Sequence, residues 1–324
     1  MATIISQLIQ ERLAPADPFV IIDCGARGGG EGFKWAFLGP RAQLHGFDPD
    51  AGECTRLNNQ ARGWGQAHTY HPLCLGKPGH PQRTLHVTRQ HDSSSLYRPA
   101  EPRLKRYKQS LDGKVMISTF DNLEAMKTFQ VETTTLDEWA GREKIGVVDY
   151  VKLDVQGAEL DILQGSTTLL PQVLGLEVEV EFSHVYDDQP LFADVDSFLR
   201  PHGFTFFNFL FTHTGHYAGR TASPLNIVFP QTVLQPSQMS GQLLTADALY
   251  LIDPLDHLWP AGATLSLAKY LKLITIAEAC GQVEFAFELL VGLRDGIAPV
   301  SDPVDRSAIA GILDSAIQRF TDSK

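Results

Sequence analysis

Cationic side chains are scarce in this chain: Lys and Arg number 27 against 38 Asp and Glu in 324 residues, a formal net charge of −11. That balance argues against nucleic acid as the main partner, because phosphate binding relies on a surplus of Lys and Arg. A neutral or cationic small ligand fits better. Cysteine is sparse too, and Cys24, Cys54, Cys74 and Cys280 match neither a CxxC metal site nor a small disulfide framework. A reducing, intracellular location, the cytoplasm, is expected. The GxGxxG dinucleotide fingerprint does not occur: "GARGGGEGF" has glycines at 25, 28, 29, 30 and 32, without that spacing. Nor does a GxxxxGK[ST] phosphate loop, which disfavours a nucleotide triphosphatase. No internal repeat or low-complexity run appears. The stretch "MATIISQLIQERLAPADP" is broken by Gln, Glu and Arg and reads as neither signal peptide nor membrane span.

What is present describes a folded chain, since 43% hydrophobic and 20% charged residues are unlike the values of a disordered one. The apolar spacing of Ile4, Ile5, Leu8, Ile9 and Leu13 predicts an opening helix. "FVIIDCGARGGG" then reads as a buried strand closed by Asp23 and a glycine-rich turn. Phe33 to Leu38 would open a crossover helix, "AQLHGFDPD" a second strand ending at Asp48, and a helix is expected over about 51–60. "TYHPLCLG" is a third strand. "RTLHVTR" with "VMISTF" reads as a hairpin or insertion laid over the core. "VVDYVKLDV" is a further strand and "GAELDILQGSTTLL" its crossover helix. "VLGLEVEVEF" alternates at period two, and "FADVDSFLRPHG" is a helix ending at Gly203. "FTFFNFL" and "PLNIVFP" are expected to complete the sheet. Strands alternating with helices imply a mostly parallel sheet covered on both faces. Beyond it only helical periodicity is read, so the expected division is 1–18 N-terminal helix, 19–235 α/β domain and 236–324 C-terminal helical extension.

In an open α/β sheet, ligands sit outside the carboxyl ends of the strands. There Asp23, Gly25 and Gly28 offer an acid followed by a turn whose glycines let a ligand approach the backbone, although such turns are also common for structural reasons alone. Asp48 closes the second strand, where a carboxylate accepts hydrogen bonds from both hydroxyls of a ribose or simply caps a helix. The pair is more telling than either member.

The stretch "VVDYVKLDVQGAELDILQGS", preceded by "TTTLDEWA" and "DSSSLYRP", carries KxDxxGxE as Lys152, Asp154, Gly157 and Glu159. With these motifs the chain resembles, from about residue 19 to 230, the FkbM family of S-adenosylmethionine-dependent methyltransferases. The resemblance implies a Rossmann-like class I methyltransferase fold: a seven-stranded, mostly parallel sheet with a reversed last strand and helices on both faces, here with a C-terminal helical extension. It implies S-adenosyl-L-methionine as cofactor and O-methylation of a hydroxyl on a sugar, glycan or related secondary metabolite. Carried over by position, Asp23, Gly25 and Gly28 hold the methionine end of the cofactor, Asp48 the ribose, and the turn around Cys74 and Leu75 borders the adenine. Ala26, Arg27, Pro49, Ser94 and Ser95 join the cofactor contacts, and Asp154 lies beside sulfonium and acceptor. Two departures stand out: Gln156 where many relatives look acidic, and Arg27 at a turn position that is often small or amide-bearing.

Methyl transfer from a sulfonium is an in-line displacement, so the protein has to align three atoms and exclude water, and a base helps because a protonated hydroxyl is a poor nucleophile. Asp154 either orients or deprotonates the acceptor, or caps the following helix. Glu159 is a catalytic candidate or a dipole-favoured first-turn acid, and Lys152 assists or pairs with an acid. His184 and Tyr186 are loop candidates for acceptor contact or general base, although an isolated loop histidine is also often merely solvated. Glu177, Glu179 and Glu181 share one strand face, where a buried row of carboxylates needs partners; with Asp154 and His184 they either bind Mg²⁺ or form a charged sheet end, and as their spacing is no recognised metal pattern no metal site is assigned. Ser93, Ser94 and Ser95 either close over the ligand or make a turn. The basic cluster Arg98, Arg103, Lys105, Arg106 and Lys108 is a solvated face or a place for an anionic acceptor. The apolar segment around Phe285, Phe287, Leu289 and Leu290 packs on the core or makes a homo-oligomer. Two other readings stay open: a non-catalytic binding or scaffold protein that kept the fold, and a nicotinamide-dependent oxidoreductase.

Overall fold

The computed structural model describes residues 3–13, 17–63, 67–111, 115–210, 217–220, 242–257 and 259–322. The expected first strand is β1, Phe19–Cys24, all six residues buried. Its β-branched run suits a strand with helices on both faces. Six more strands join it: β2 Ala42–Phe47, β3 Ala67–His71, β4 Tyr150–Leu153, β5 Gly175–Glu181, β6 Phe204–Phe209 and β7 Thr245–Ile252. Their order across the sheet is β6-β7-β5-β4-β1-β2-β3. All neighbours pair parallel except at β7, which runs antiparallel to both β5 and β6. This is the seven-stranded, mostly parallel α/β sheet with a reversed last strand that the sequence resemblance implies.

The reversed strand, however, is not the one expected. "PLNIVFP" lies outside the described residues, and β7 comes from "TADALYLI", a stretch assigned above to the helical extension. Ala and Leu dominate it, residues that favour helix in isolation. The slot between β5 and β6 overrides that preference, and Ala246, Ala248, Leu249, Tyr250 and Leu251 are completely buried there. The sheet therefore extends past 235, to Ile252.

Three smaller expectations change as well. The "RTLHVTR" strand, Gln82–Thr88, pairs antiparallel with Ala125–Thr134, whereas Val115–Ser118 pairs with Tyr107–Leu111. "TYHPLCLG" splits: Ala67–His71 stays in the main sheet and Cys74–Leu75 pairs with Ala125–Thr134. The crossover after β1 is a four-residue helix, Glu31–Lys34, and a 3-10 stretch, Ala36–Arg41. Gly39, at φ 57°, and Pro40 stop a longer helix there.

Among the described residues the α-helices of six residues or more are α1 Ile4–Leu13, α2 Ala51–Gly63, α3 Leu136–Glu143, α4 Glu159–Gln164, α5 Phe192–Leu199, α6 Leu267–Ala279, α7 Val283–Asp295 and α8 Arg306–Asp322. "TLDEW" begins α3 with a capping box, Thr135 and Glu138 each bonding the other's backbone N–H. The last three helices are built into the core. Leu273, Ile274, Ile276, Leu289 and Leu290 are fully buried, Phe285 packs on Phe207 of β6 with centroids 4.7 Å apart, and Phe287 packs on Phe320 of α8. The apolar segment weighed as an oligomer contact is thus used within the chain.

Two buried acids fasten these helices. Asp149, wholly buried before β4, accepts hydrogen bonds from the Val20 N–H at 2.9 Å, Lys269 Nζ at 2.7 Å and Lys272 Nζ at 2.8 Å. Glu278 of α6 accepts from the backbone N–H groups of Ile5 and Ser6, both at 2.7 Å, and so caps α1. Among the described residues no helix is long and apolar enough to cross a membrane.

Removing one partner of a buried ion pair leaves an uncompensated charge. Asp149→Ala, which strands two lysines, is expected to destabilise the protein by about 3–5 kcal/mol, read as a lower urea midpoint; an unchanged midpoint would contradict this account of the docking.

Candidate active site

A cleft of about 1510 Å³ opens beyond the carboxyl ends of β1, β2, β4 and β5. The turn after β1 forms its inner edge. Gly25, at φ +87°, sits so close to β4 that an added Cβ would lie 1.8 Å from the Asp154 carbonyl oxygen. The Gly25 and Ala26 N–H groups both donate to the Phe47 carbonyl at 3.0 Å, and the Asp154 N–H donates to Cys24 at 3.0 Å. Gly25 thus gives clearance to the protein's own backbone, holding three strand ends together, while it also lines the cleft. Gly28 is also at positive φ, 80°, and donates to Glu53 Oε1 at 2.9 Å; with Ala26 it lies off the cleft wall.

On the wall itself are Asp23, Gly25, Arg27, Asp48, Pro49, Cys74, Leu75, Ser94, Ser95, Lys152 and Asp154. The fold therefore brings most of the expected positions to one cavity. Asp23 is 2% exposed, and its Oδ1 is buried with no hydrogen-bond partner among the described residues. Burial pushes its carboxyl up to about 7 although Lys152 pulls the other way. Asp48 Oδ1 accepts from the Asp50 N–H at 2.7 Å, and its Oδ2 is 3.6 Å from Arg27 Nε. Arg27 also bonds Asp50 at 2.9 Å, so the departure at this position ties the first turn to the end of β2.

Strand register explains the rest. Lys152 lies between Asp23 and Glu177 in parallel pairing, so these three side chains share one face. Lys152 Nζ bonds Asp154 Oδ2 at 3.0 Å, while Gln156 Nε2 bonds Asp154 Oδ1 at 2.9 Å and Glu179 Oε2 at 2.6 Å. Desolvation works to raise the Asp154 carboxyl, but Lys152 and these hydrogen bonds hold it below the usual carboxylate range. Glu177 is likewise held low against its burial by Lys34, which bonds it, and by Tyr150, whose hydroxyl donates at 2.8 Å. Glu179 goes the other way: burial and then the nearby Asp154 push it well above the usual range. Asp247 of β7 pairs with Glu179 in the antiparallel register and completes the acidic floor.

Two catalytic candidates are elsewhere. Glu159 Oε1 accepts from the Val155 N–H at 2.7 Å and the Gly157 N–H at 3.2 Å. It shapes the turn that carries Asp154 and does not line the cleft. His184 does not line it either. Tyr186 holds Gln156, its hydroxyl 2.9 Å from both Gln156 Oε1 and the Ser93 carbonyl. The basic cluster also lies off the wall: Arg98 pairs with Asp187, Arg103 with Ser183 and Lys105 with Glu101. Arg106 is exposed, and the Lys108 side chain is outside the described residues. Among the described residues no group of three or more His, Cys, Asp or Glu is arranged to hold a metal ion.

Sequence reasoning missed Lys34 and Asp247 and did not commit to Glu177 and Glu179. The period-two acids were the available signal for the last two; Lys34 had none, and Asp247 was hidden in a stretch read as non-strand. The roof was missed too. Leu85, Val87, Phe129 and Val131, with Lys127 and Gln130, line the cleft from the hairpin of Gln82–Thr88 with Ala125–Thr134.

Residues 23–206 match the family profile described as "Methyltransferase FkbM domain". The chain is 26% identical over 190 residues to the 2-O-methyltransferase NoeI of Sinorhizobium fredii, an alignment covering 57% of this chain and 72% of that protein. Among solved structures it is similar to TrmK of M. capricolum in complex with S-adenosyl-homocysteine, with 8% identity, 97% and 96% of the two chains covered and a TM-score of 0.35. It is also similar to the StiE O-MT, with 8% identity, 85% and 80% covered and the same TM-score of 0.35. At such scores neither likeness adds to what the strand order establishes.

Because a side chain at position 25 collides with backbone and requires a positive φ, Gly25→Ala is expected to cost about 2 kcal/mol or more. Denaturant unfolding checks it, and Gly28→Ala, with nothing within 4 Å of the added Cβ, is expected to cost less; equal effects would count against the close approach at Gly25.

Proposed function

The chain belongs to the FkbM methyltransferase family, and on that premise we propose that it is an O-methyltransferase acting on a hydroxyl of a neutral, hydroxyl-rich acceptor such as a sugar. Its methyl donor is S-adenosylmethionine, which supplies an electrophilic methyl group on a sulfonium. The residues present fit such a donor. The orphaned, buried Oδ1 of Asp23 suits an ammonium group, Asp48 suits ribose hydroxyls, and Cys74 and Leu75 supply the less polar wall for a base.

The observation that carries the acceptor class is the acidic floor formed by Asp154, Glu177, Glu179 and Asp247. Carboxylates accept hydrogen bonds from hydroxyls and repel anions. Lys34 and Lys152, beside these acids, are already engaged, Lys34 by Glu177 and Lys152 by Asp154; the other Lys and Arg of the cleft lining, Lys127 and Arg27, belong to the hairpin and to the turn after β1. With the basic cluster away from the cleft, a phosphorylated acceptor placed on the floor meets carboxylates and lysines that are already paired. The resemblance to a 2-O-methyltransferase supports oxygen as the acceptor atom. In this reading Asp154, its oxygens already taken by Lys152 and Gln156, orients the reactants and balances positive charge. The apolar hairpin keeps water from the reacting atoms, and Glu159 acts through the turn it shapes.

Two outcomes test the reading. Donor binding requires ionised Asp23, and because burial raises its carboxyl to about 7, affinity for S-adenosylhomocysteine is expected to tighten about tenfold from pH 6 to pH 8. Calorimetry measures this, and Asp23→Asn should abolish the dependence. Labelled S-adenosylmethionine with a panel of sugars, nucleotide-sugars and glycolipids is expected to mark neutral sugars in preference to phosphorylated ones. Asp154→Asn should lower that turnover by about 100-fold; undiminished turnover would remove Asp154 from the site.

A further inference from the structure

The carboxylates of the floor are not equivalent. Asp154 accepts from Lys152 on one oxygen and Gln156 on the other. Glu177 Oε2 accepts from both Lys34 and Tyr150, and Glu179 Oε2 accepts from Gln156. Asp247 differs: no described residue donates a hydrogen bond to its carboxylate, which lies half-buried on the cleft wall. It also stands at the far end of the floor. Asp23 and Asp48 belong to β1 and β2, whereas Asp247 belongs to β7, beyond β4 and β5 in the sheet. A donor held by the first two strands leaves the space over β5 and β7 to the acceptor.

We propose that Asp247 is the catalytic base that takes the proton from the acceptor hydroxyl. The inference rests on the methyltransferase reading above. As the acceptor oxygen bonds to the methyl carbon, the carbon–sulfur bond breaks with its electron pair left on sulfur, and the hydroxyl proton passes to the Asp247 carboxylate. The charges then balance: a sulfonium and a carboxylate become a thioether and a carboxylic acid.

The surroundings of Asp247 suit a base that works near neutral pH. β4 brings Lys152 and Asp154 to the site, β5 brings Glu177 and Glu179, and the helix after β1 brings Lys34. β6 adds the neutral Asn208, and the turn between α6 and α7 adds Cys280 and Gln282. Burial, followed by the proximity of Asp154 and Glu177, raises the Asp247 carboxyl to about 7, with Lys152 and Lys34 opposing. A base is most effective when its pKa lies near the working pH. Its activity should therefore be lost as pH falls below about 7 and be complete above it.

The test uses the full chain as wild type, Asp247→Asn and Asp247→Glu. Three readouts are taken: calorimetry with S-adenosylhomocysteine, kcat against pH with labelled S-adenosylmethionine and neutral methyl hexopyranosides, and carbon-13 NMR of the aspartate carboxyl groups without ligand. Asp247→Asn is expected to bind S-adenosylhomocysteine within about twofold of wild type, to lose about 10²–10⁴-fold in kcat and to lack one carboxyl resonance titrating near pH 7. That resonance is distinct from the one Asp23→Asn removes. Asp247→Glu, which keeps a carboxylate, is expected to recover part of the rate. An Asn variant with near-normal kcat and an unchanged acidic limb overturns the assignment, as does an Asp247 resonance titrating in the ordinary carboxylate range of the wild type, a result that holds even if the variants fold poorly. If the wild type binds no S-adenosylhomocysteine, or methylates no sugar while binding it, the proposed function falls and the inference with it; if the wild type methylates and Asp247→Asn does so equally, only the inference falls.

Discussion

Lys152 is the charge on which the cleft depends. Its strand places it between Asp23 and Glu177, and its ammonium bonds Asp154. Desolvation works against it, yet Asp154 and Asp23 hold it charged above the usual lysine range. Bringing several carboxylates together in partly buried space costs several kcal/mol per ion unless cations and hydrogen bonds offset it. Lys152 and Lys34 supply that offset for Asp154 and Glu177, so those acids stay ionised. Asp23, Glu179 and Asp247 are left with raised affinity for protons. A single wall therefore carries both kinds of acid: fixed charges that can orient, and proton-accepting groups that can titrate.

That arrangement needs a rigid frame, and the frame is closed by the two ends of the chain. Asp149 binds Lys269 and Lys272 at the base of β4, and Glu278 caps α1. The helices following the sheet also reach the site, since Ala279, Cys280, Gly281 and Gln282, between α6 and α7, line the cleft. They are part of the catalytic domain's architecture as well as its support. The hairpin of Gln82–Thr88 with Ala125–Thr134 adds Leu85, Val87, Phe129 and Val131 to the same lining, with Lys127 and Gln130, so apolar side chains and carboxylates share one cleft.

Much of this was legible in the residues themselves. β1 and β4 announce themselves through β-branched runs, Asp23 and Asp48 through their place at strand ends, and Lys152 and Asp154 through the KxDxxGxE motif that carries the family resemblance. Glu159 was misread because a first-turn acid that bonds the turn's N–H groups and one that faces a ligand look alike in sequence. His184 failed for a similar reason: loop residues carry no periodicity that says where they point. Gly25 was read correctly as a tight turn, but that the Asp154 carbonyl also demands a glycine there depends on the pairing of β1 with β4.

By itself the sequence determined the alternation of strands and helices, the strand tips that carry acids, and the motif that marks the family. These are local properties, set by side-chain type and spacing within a few residues. Only the tertiary structure decided that "TADALYLI" is the reversed strand, that Lys34 meets Glu177, and that Asp247 stands beside Glu179. Each of those depends on pairing between segments distant in the chain, where burial in a particular slot outweighs the preference of the residues that fill it.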